Sequence, residues 1–156
     1  MAIIVRETNG TRKSSFDSGA ASEHLVLSCL YRLGINAFIS FGNKKSIDII
    51  IKANNGQSLT VDVKSVRDYS SIVVNNAVQL PNHFIVVVIY KKRFEDPSVM
   101  PDFYIIPSES IGGIIKSFGK ELRIVKGDIE GFKDQWQLLS SQKKIKNKAN
   151  LKIKRP

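Results

Sequence analysis

Residues Phe84 to Tyr90 read Phe-Ile-Val-Val-Val-Ile-Tyr without a polar interruption, and this run constrains the fold more than any other part of the chain. It is far too short for a membrane helix, which needs about 20 residues. Val and Ile branch at Cβ and favour an extended backbone. An apolar strand without alternation has both faces covered, so the sheet that holds it needs a layer above and a layer below.

The neighbouring segments supply those layers. Asp17 and Ser18 offer caps for a helix running to about Leu33, where Gly34 stops it. Ala37–Phe41 is a short strand candidate. Ser46–Ala53 and Leu59–Val66 read as two strands joined by Asn54-Asn55-Gly56-Gln57, a hairpin signal. Residues 67–82 are polar and admit either a short helix or a loop. Phe103–Ile106 reads as another strand, Glu109–Phe118 as a helix, and Lys133–Leu139 as a last amphipathic helix carrying the only Trp, Trp136. Helix, three strands, connection, two strands and helix make an α/β sandwich with a mixed central sheet flanked by helices.

Composition sets the setting. The chain has 156 residues, enough for one domain with a real core, and 42% of them are hydrophobic. One cysteine, Cys29, excludes an internal disulfide and any thiolate cluster. No long apolar stretch follows Arg6, Arg12 and Lys13, so a signal peptide and a membrane partner are not expected, and the reading is a cytoplasmic protein. The net charge is +10, but residues 143–156 alone hold seven cations and no acid, leaving 17 basic against 14 acidic residues elsewhere. The chain therefore divides into a domain over 1–142 and a basic tail over 143–156. Such a tail either attracts polyanions by counterion release or is simply a solvated end.

The chemistry-bearing residues lie on the hairpin. In Ser46–Ala53 the alternation sets Asp48 and Ile50 on the face opposite Ile47, Ile49 and Ile51. In Leu59–Val66 it sets Thr60, Asp62 and Lys64 opposite Leu59, Val61 and Val63. Acids are depleted in strands, and a carboxylate flanked by β-branched apolar residues loses hydration and needs a partner. Lys64 is one partner; a divalent cation is a better one. Glu23 joins them by helical phase. At about 100° per residue, Leu27 falls near 40°, Leu30 near 340° and Val26 near 300° from it, with Leu33 near 280°. His24, Ser28 and Arg32 fall opposite. Glu23 is thus in or beside the core-facing stripe, where surface acids do not usually sit.

Ser46-Ile47-Asp48, thirteen intervening residues, then Asp62-Val63-Lys64, preceded by a helical Glu23, resembles the PD-(D/E)xK nuclease superfamily over roughly residues 18–107. Restriction endonucleases, archaeal Holliday-junction resolvases and repair nucleases belong to it. The resemblance implies a restriction-endonuclease-like core and divalent-metal-dependent phosphodiester hydrolysis. DNA is the implied substrate, and Mg²⁺ the implied metal, with Mn²⁺ as a substitute. Asp48 and Asp62 would then bind the metal, with the Val63 carbonyl completing the shell. Glu23 would hold a second ion or a metal-bound water, and Lys64 would position the nucleophile. Ile47 stands where the motif's name has proline, and Asp62 where Glu is commoner. A resolvase working on branched DNA as a homodimer is the alternative within this class, and a non-catalytic nucleic-acid-binding protein of the same fold is the alternative outside it.

Weaker candidates surround this set. Lys44, Lys45 and Arg67, with Lys143, Lys144 and Lys146 of the tail, are candidates for phosphate contacts, against the plainer reading of solvated cations. Tyr69, Ser70, Ser71, Asn75 and Asn76 either touch nucleic acid or form a surface loop, and Gln79 is not expected at the site. His24 and His83 are too far apart in sequence to indicate a histidine metal centre. Cys29 reads as a core residue, Trp136 as an anchor for the last helix, and Gly112-Gly113 as no phosphate fingerprint.

Overall fold

The computed structural model describes residues 15–41, 46–53, 56–69 and 71–140. Its centre is a five-stranded mixed sheet. After helix α1 (Ser15–Arg32), strands β1 (Ala37–Ile39), β2 (Ile49–Lys52) and β3 (Ser58–Val66) form an antiparallel meander. Strand β4 (Ile72–Val73) leaves this sheet. The chain then returns as β5 (His83–Ile89), parallel to β3, and β6 (Asp102–Pro107) closes the far edge antiparallel to β5. The spatial order is β1-β2-β3-β5-β6.

The apolar run is buried along nearly its whole length, and it serves two cores, as its lack of alternation requires. Val86 and Val88 join Leu59, Val61 and Val63 of β3 on the face that α1 covers with Val26 and Leu30. Ile85, Val87 and Ile89 face the other way, with Tyr104 and Ile106. The cover there is a second, three-stranded sheet of β4, β7 (Lys116–Phe118) and β8 (Glu121–Ile124), with short 3-10 turns supplying Ile111 and Ile129. Each fully buried Ile or Val is worth roughly 1.5–3 kcal/mol relative to exposure, so the run anchors both layers.

The stripe of α1 that meets the sheet is Ser18, Ser22, Val26 and Leu30, spaced by four residues. The serines allow close approach. Ser22 Oγ meets Tyr90 Oη at 2.9 Å and Ser65 Oγ donates to the Ser18 carbonyl at 3.2 Å, tying the first half of α1 to β3 and the end of β5. Ser18 is therefore inside the helix rather than its cap. Leu33 is half exposed, because α1 ends at Arg32 and the backbone turns at Gly34, φ +72°.

Several expectations fail. The helix expected over Glu109–Phe118 is a 3-10 turn, Ser108–Gly113, followed by β7, since Gly112-Gly113 is a poor continuation for a helix. The β7–β8 hairpin turns at Gly119, φ +62°, where glycine is needed. Residues 67–82 contain neither a helix nor only a loop, because β4 pairs with β8. The last helix over Lys133–Leu139 is interrupted by Asp134, φ +53°, and only α2 (Gln137–Ser140) is helical. Phe132 consequently packs in the second core while Trp136 and Leu139 pack in the first. Among the described residues no helix is long and apolar enough to cross a membrane.

Candidate active site

Asp48 and Asp62 meet where β2 and β3 begin to part. The pairing runs through Ile49 opposite Val61, so the next step sets Asp48 opposite Asp62. The Asp48 backbone is clamped on both sides: its N–H donates to the Val61 carbonyl at 2.8 Å, and its carbonyl accepts from Ser40 N–H at 2.8 Å. Its carboxylate then acts as a strand would, with Oδ2 accepting the Val63 N–H at 2.7 Å. Two residues earlier Ser46 adopts φ +70°, and its hydroxyl donates to the Asn76 carbonyl at 2.6 Å, tying this turn to the segment after β4.

Asp62 is 1% exposed, and neither of its carboxylate oxygens accepts a hydrogen bond among the described residues. The Lys64 ammonium is 2.8 Å from Oδ1, an ion contact whose direction is not that of a hydrogen bond. Lys64, on the same face two residues on, keeps a quarter of its side chain in solvent. A carboxylate is expensive to bury without a partner, and the Lys64 ammonium is the cation beside this one.

The surrounding carboxyls are tuned upward. Burial raises the Asp48 pKa above the usual carboxylate value, and the Asp62 charge adds to it; the Val63 N–H and Lys64 act against the rise. Glu23, half-buried on α1, is raised by burial first and by Asp48 second, with His24 and Lys64 opposing. Glu23 thus lies within the field of Asp48 and Lys64. Among the described residues, however, no group of three His, Cys, Asp or Glu side chains is gathered closely enough to hold a cation. The donor set that fits a hard cation is the Asp48–Asp62 pair, since Mg²⁺ is commonly held by one or two carboxylates and fills its shell with water and phosphate.

One residue of this face was not expected. His83, the first residue of β5, stands in register with Thr60, and its Nδ1 meets Thr60 Oγ1 at 2.7 Å. It is 2% exposed. Burial lowers its pKa; Lys64 acts in the same direction and Asp48 against it. No local pattern sets the register of a parallel pair, so nothing in the order of residues connects His83 with Thr60.

Other candidates fall elsewhere. Arg67 reaches Glu95 at 3.2 Å and lies over the Phe94 ring at 3.9 Å. Ser71 accepts a hydrogen bond from Arg123, and Asn75 from Leu122 N–H, so both hold the second sheet in place. Lys126 lies over Tyr69 at 5.3 Å. Gln79 packs against Gly112, away from the carboxylates. His24 is exposed, and Cys29 is half-buried with its thiol pKa raised by burial. The Trp136 ring packs on Phe103 at 5.2 Å. Lys44, Lys45, Ser70, Lys143, Lys144 and Lys146 lie outside the described residues.

No protein-family model matches the chain, and no curated protein sequence matches it. Solved structures do. Hjc, a Holliday junction resolvase from the archaeal hyperthermophile Archaeoglobus fulgidus, superposes with a TM-score of 0.54 at 14% identity, covering 79% of this chain and 96% of its own. The bacterial homing endonuclease I-Ssp6803I superposes with a TM-score of 0.55 at 20% identity, covering 87% of this chain and 99% of its own. The chain has the restriction-endonuclease-like fold. Asp62 and Lys64 lie on β3 of the mixed sheet, and Asp48 immediately precedes β2.

Proposed function

We propose that the protein is a divalent-metal-dependent nuclease that hydrolyses phosphodiester bonds in DNA. The observation that carries this reading is Asp62: a buried carboxylate that accepts no hydrogen bond among the described residues, opposite Asp48 and 2.8 Å from Lys64. Asp48 and Asp62 hold the cation, with the Val63 carbonyl as a further oxygen ligand. Mg²⁺, or Mn²⁺ in its place, supplies charge neutralisation at the phosphate and lowers the pKa of water. Lys64 orients the attacking water and stabilises the charge that develops on the phosphate. Glu23, in the field of Asp48 and Lys64, holds a second ion or a metal-bound water.

DNA is favoured because both structural neighbours are named for enzymes of that kind, a Holliday junction resolvase and a homing endonuclease. The seven cations of residues 143–156 suit a polyanion. The test is cleavage of plasmid, single-stranded, flap and four-way-junction DNA with Mg²⁺, Mn²⁺ or EDTA. Cutting requires the metal, and Asp62→Ala or Lys64→Ala each lowers the rate by about 100-fold or more while DNA binding survives. Equal cutting by those variants overturns the site. Selective cutting of the junction by a dimer identifies a resolvase. Binding of DNA without any cutting identifies a non-catalytic binding protein.

A further inference from the structure

His83 is a buried polar residue at the head of an apolar strand. It opens the strand of the apolar run, it is 2% exposed, and it stands on the same face of the sheet as Thr60, Asp62 and Lys64. Its Nδ1 is engaged by Thr60 Oγ1 at 2.7 Å, while Nε2 is buried with no hydrogen-bond partner among the described residues. An unpaired buried polar nitrogen is destabilising, and a leucine or valine in this position would carry no such cost. Beside the Asp62 carboxylate, whose Oδ1 meets the Lys64 ammonium at 2.8 Å, His83 Nε2 is a polar atom of this face buried with no hydrogen-bond partner among the described residues. Asp62 and His83 lie on adjacent parallel strands, with Thr60 two residues before Asp62 and opposite His83.

We propose that His83 is a positioning residue for the cation at Asp48 and Asp62, its imidazole fixed by Thr60 and its Nε2 hydrogen-bonded to water that the cation carries. The inference rests on the metal-dependent reading above. Thr60 holds the orientation of the ring, as outer partners commonly do around metal sites, and loss of such a partner costs about 10–100-fold in metal affinity. Glutamine retains a polar head that can meet both Thr60 and water; alanine retains neither.

The experiment measures Mn²⁺ affinity calorimetrically for the full chain and for Asp62→Asn, His83→Ala, His83→Gln and Thr60→Val, with a thermal melt of each. The expected result is tight binding by the wild type and loss of it in Asp62→Asn. His83→Ala and Thr60→Val each weaken binding about 10-fold, and His83→Gln recovers most of it. Wild-type affinity in His83→Ala or in Thr60→Val overturns the role of His83 and leaves the carboxylate site standing. If His83→Ala does not fold, Thr60→Val decides alone. Affinity that is unchanged in Asp62→Asn overturns the metal site itself and His83 with it.

Discussion

Asp48 carries two duties whose demands on its charge differ. As a hydrogen-bond acceptor for Val63 it needs only an oxygen, which an amide also has. As an ion it is disfavoured, by burial first and by the charge of Asp62 second, and both raise its pKa in the fold. A raised folded-state pKa contributes stability below the unfolded value of 3.8 and loses it as pH rises through the folded one. Asp48→Asn is therefore expected to melt a few degrees above the wild type at pH 7 in EDTA, and the gap closes below pH 3.8. A pH series of calorimetric melts checks this; a variant less stable than the wild type at neutral pH contradicts it. Asp48, Asp62 and Lys64 were legible in the sequence because strand alternation is rigid: with a period of two, a residue's face follows from its number. His83 was not, because its meaning depends on which residue of another strand stands beside it.

At the scale of elements, α1 sets Glu23 within the field of Asp48 and Lys64, and Ser22 ties α1 to Tyr90. Tyr90→Phe removes the 2.9 Å hydrogen bond between Ser22 and Tyr90. Its expected cost is about 1 kcal/mol, which lowers the melting temperature by about 2–4 °C. Because Glu23 is the next residue, cleavage slows in this variant while DNA affinity holds; kinetics and equilibrium binding measured side by side check it. The central elements could be read because long apolar periodicity reports burial directly. The second sheet could not. Its strands β4 and β7 have two and three residues, too few for a period to register, and β4 pairs with a strand about fifty positions later. The turn at Gly119 was the one local signal, a glycine between Lys116–Phe118 and Glu121–Ile124. The last helix failed at a single residue, Asp134, whose positive φ no hydrophobic pattern reveals.

At the scale of the whole molecule, charge and chemistry are separate. The proposed catalytic face is acidic with one lysine, whereas the surplus cations belong to residues 143–156. Truncation after Gln142 is therefore expected to weaken DNA binding. It also flattens the salt dependence, by about 0.9 in log–log slope for each phosphate that the tail neutralises. Binding isotherms across a salt series check this, and an unchanged slope makes the tail a bystander. The two acids of the pair also differ in what they would tell about kin. Asp48 completes the hairpin through Val63, so if the proposed function holds, a descendant that had lost it would still gain from keeping Asp48. Asp62 accepts no hydrogen bond among the described residues and is buried at a cost. Drift would erase Asp62 first, so its presence or loss, rather than that of Asp48, is the mark by which working and retired members of such a lineage can be told apart.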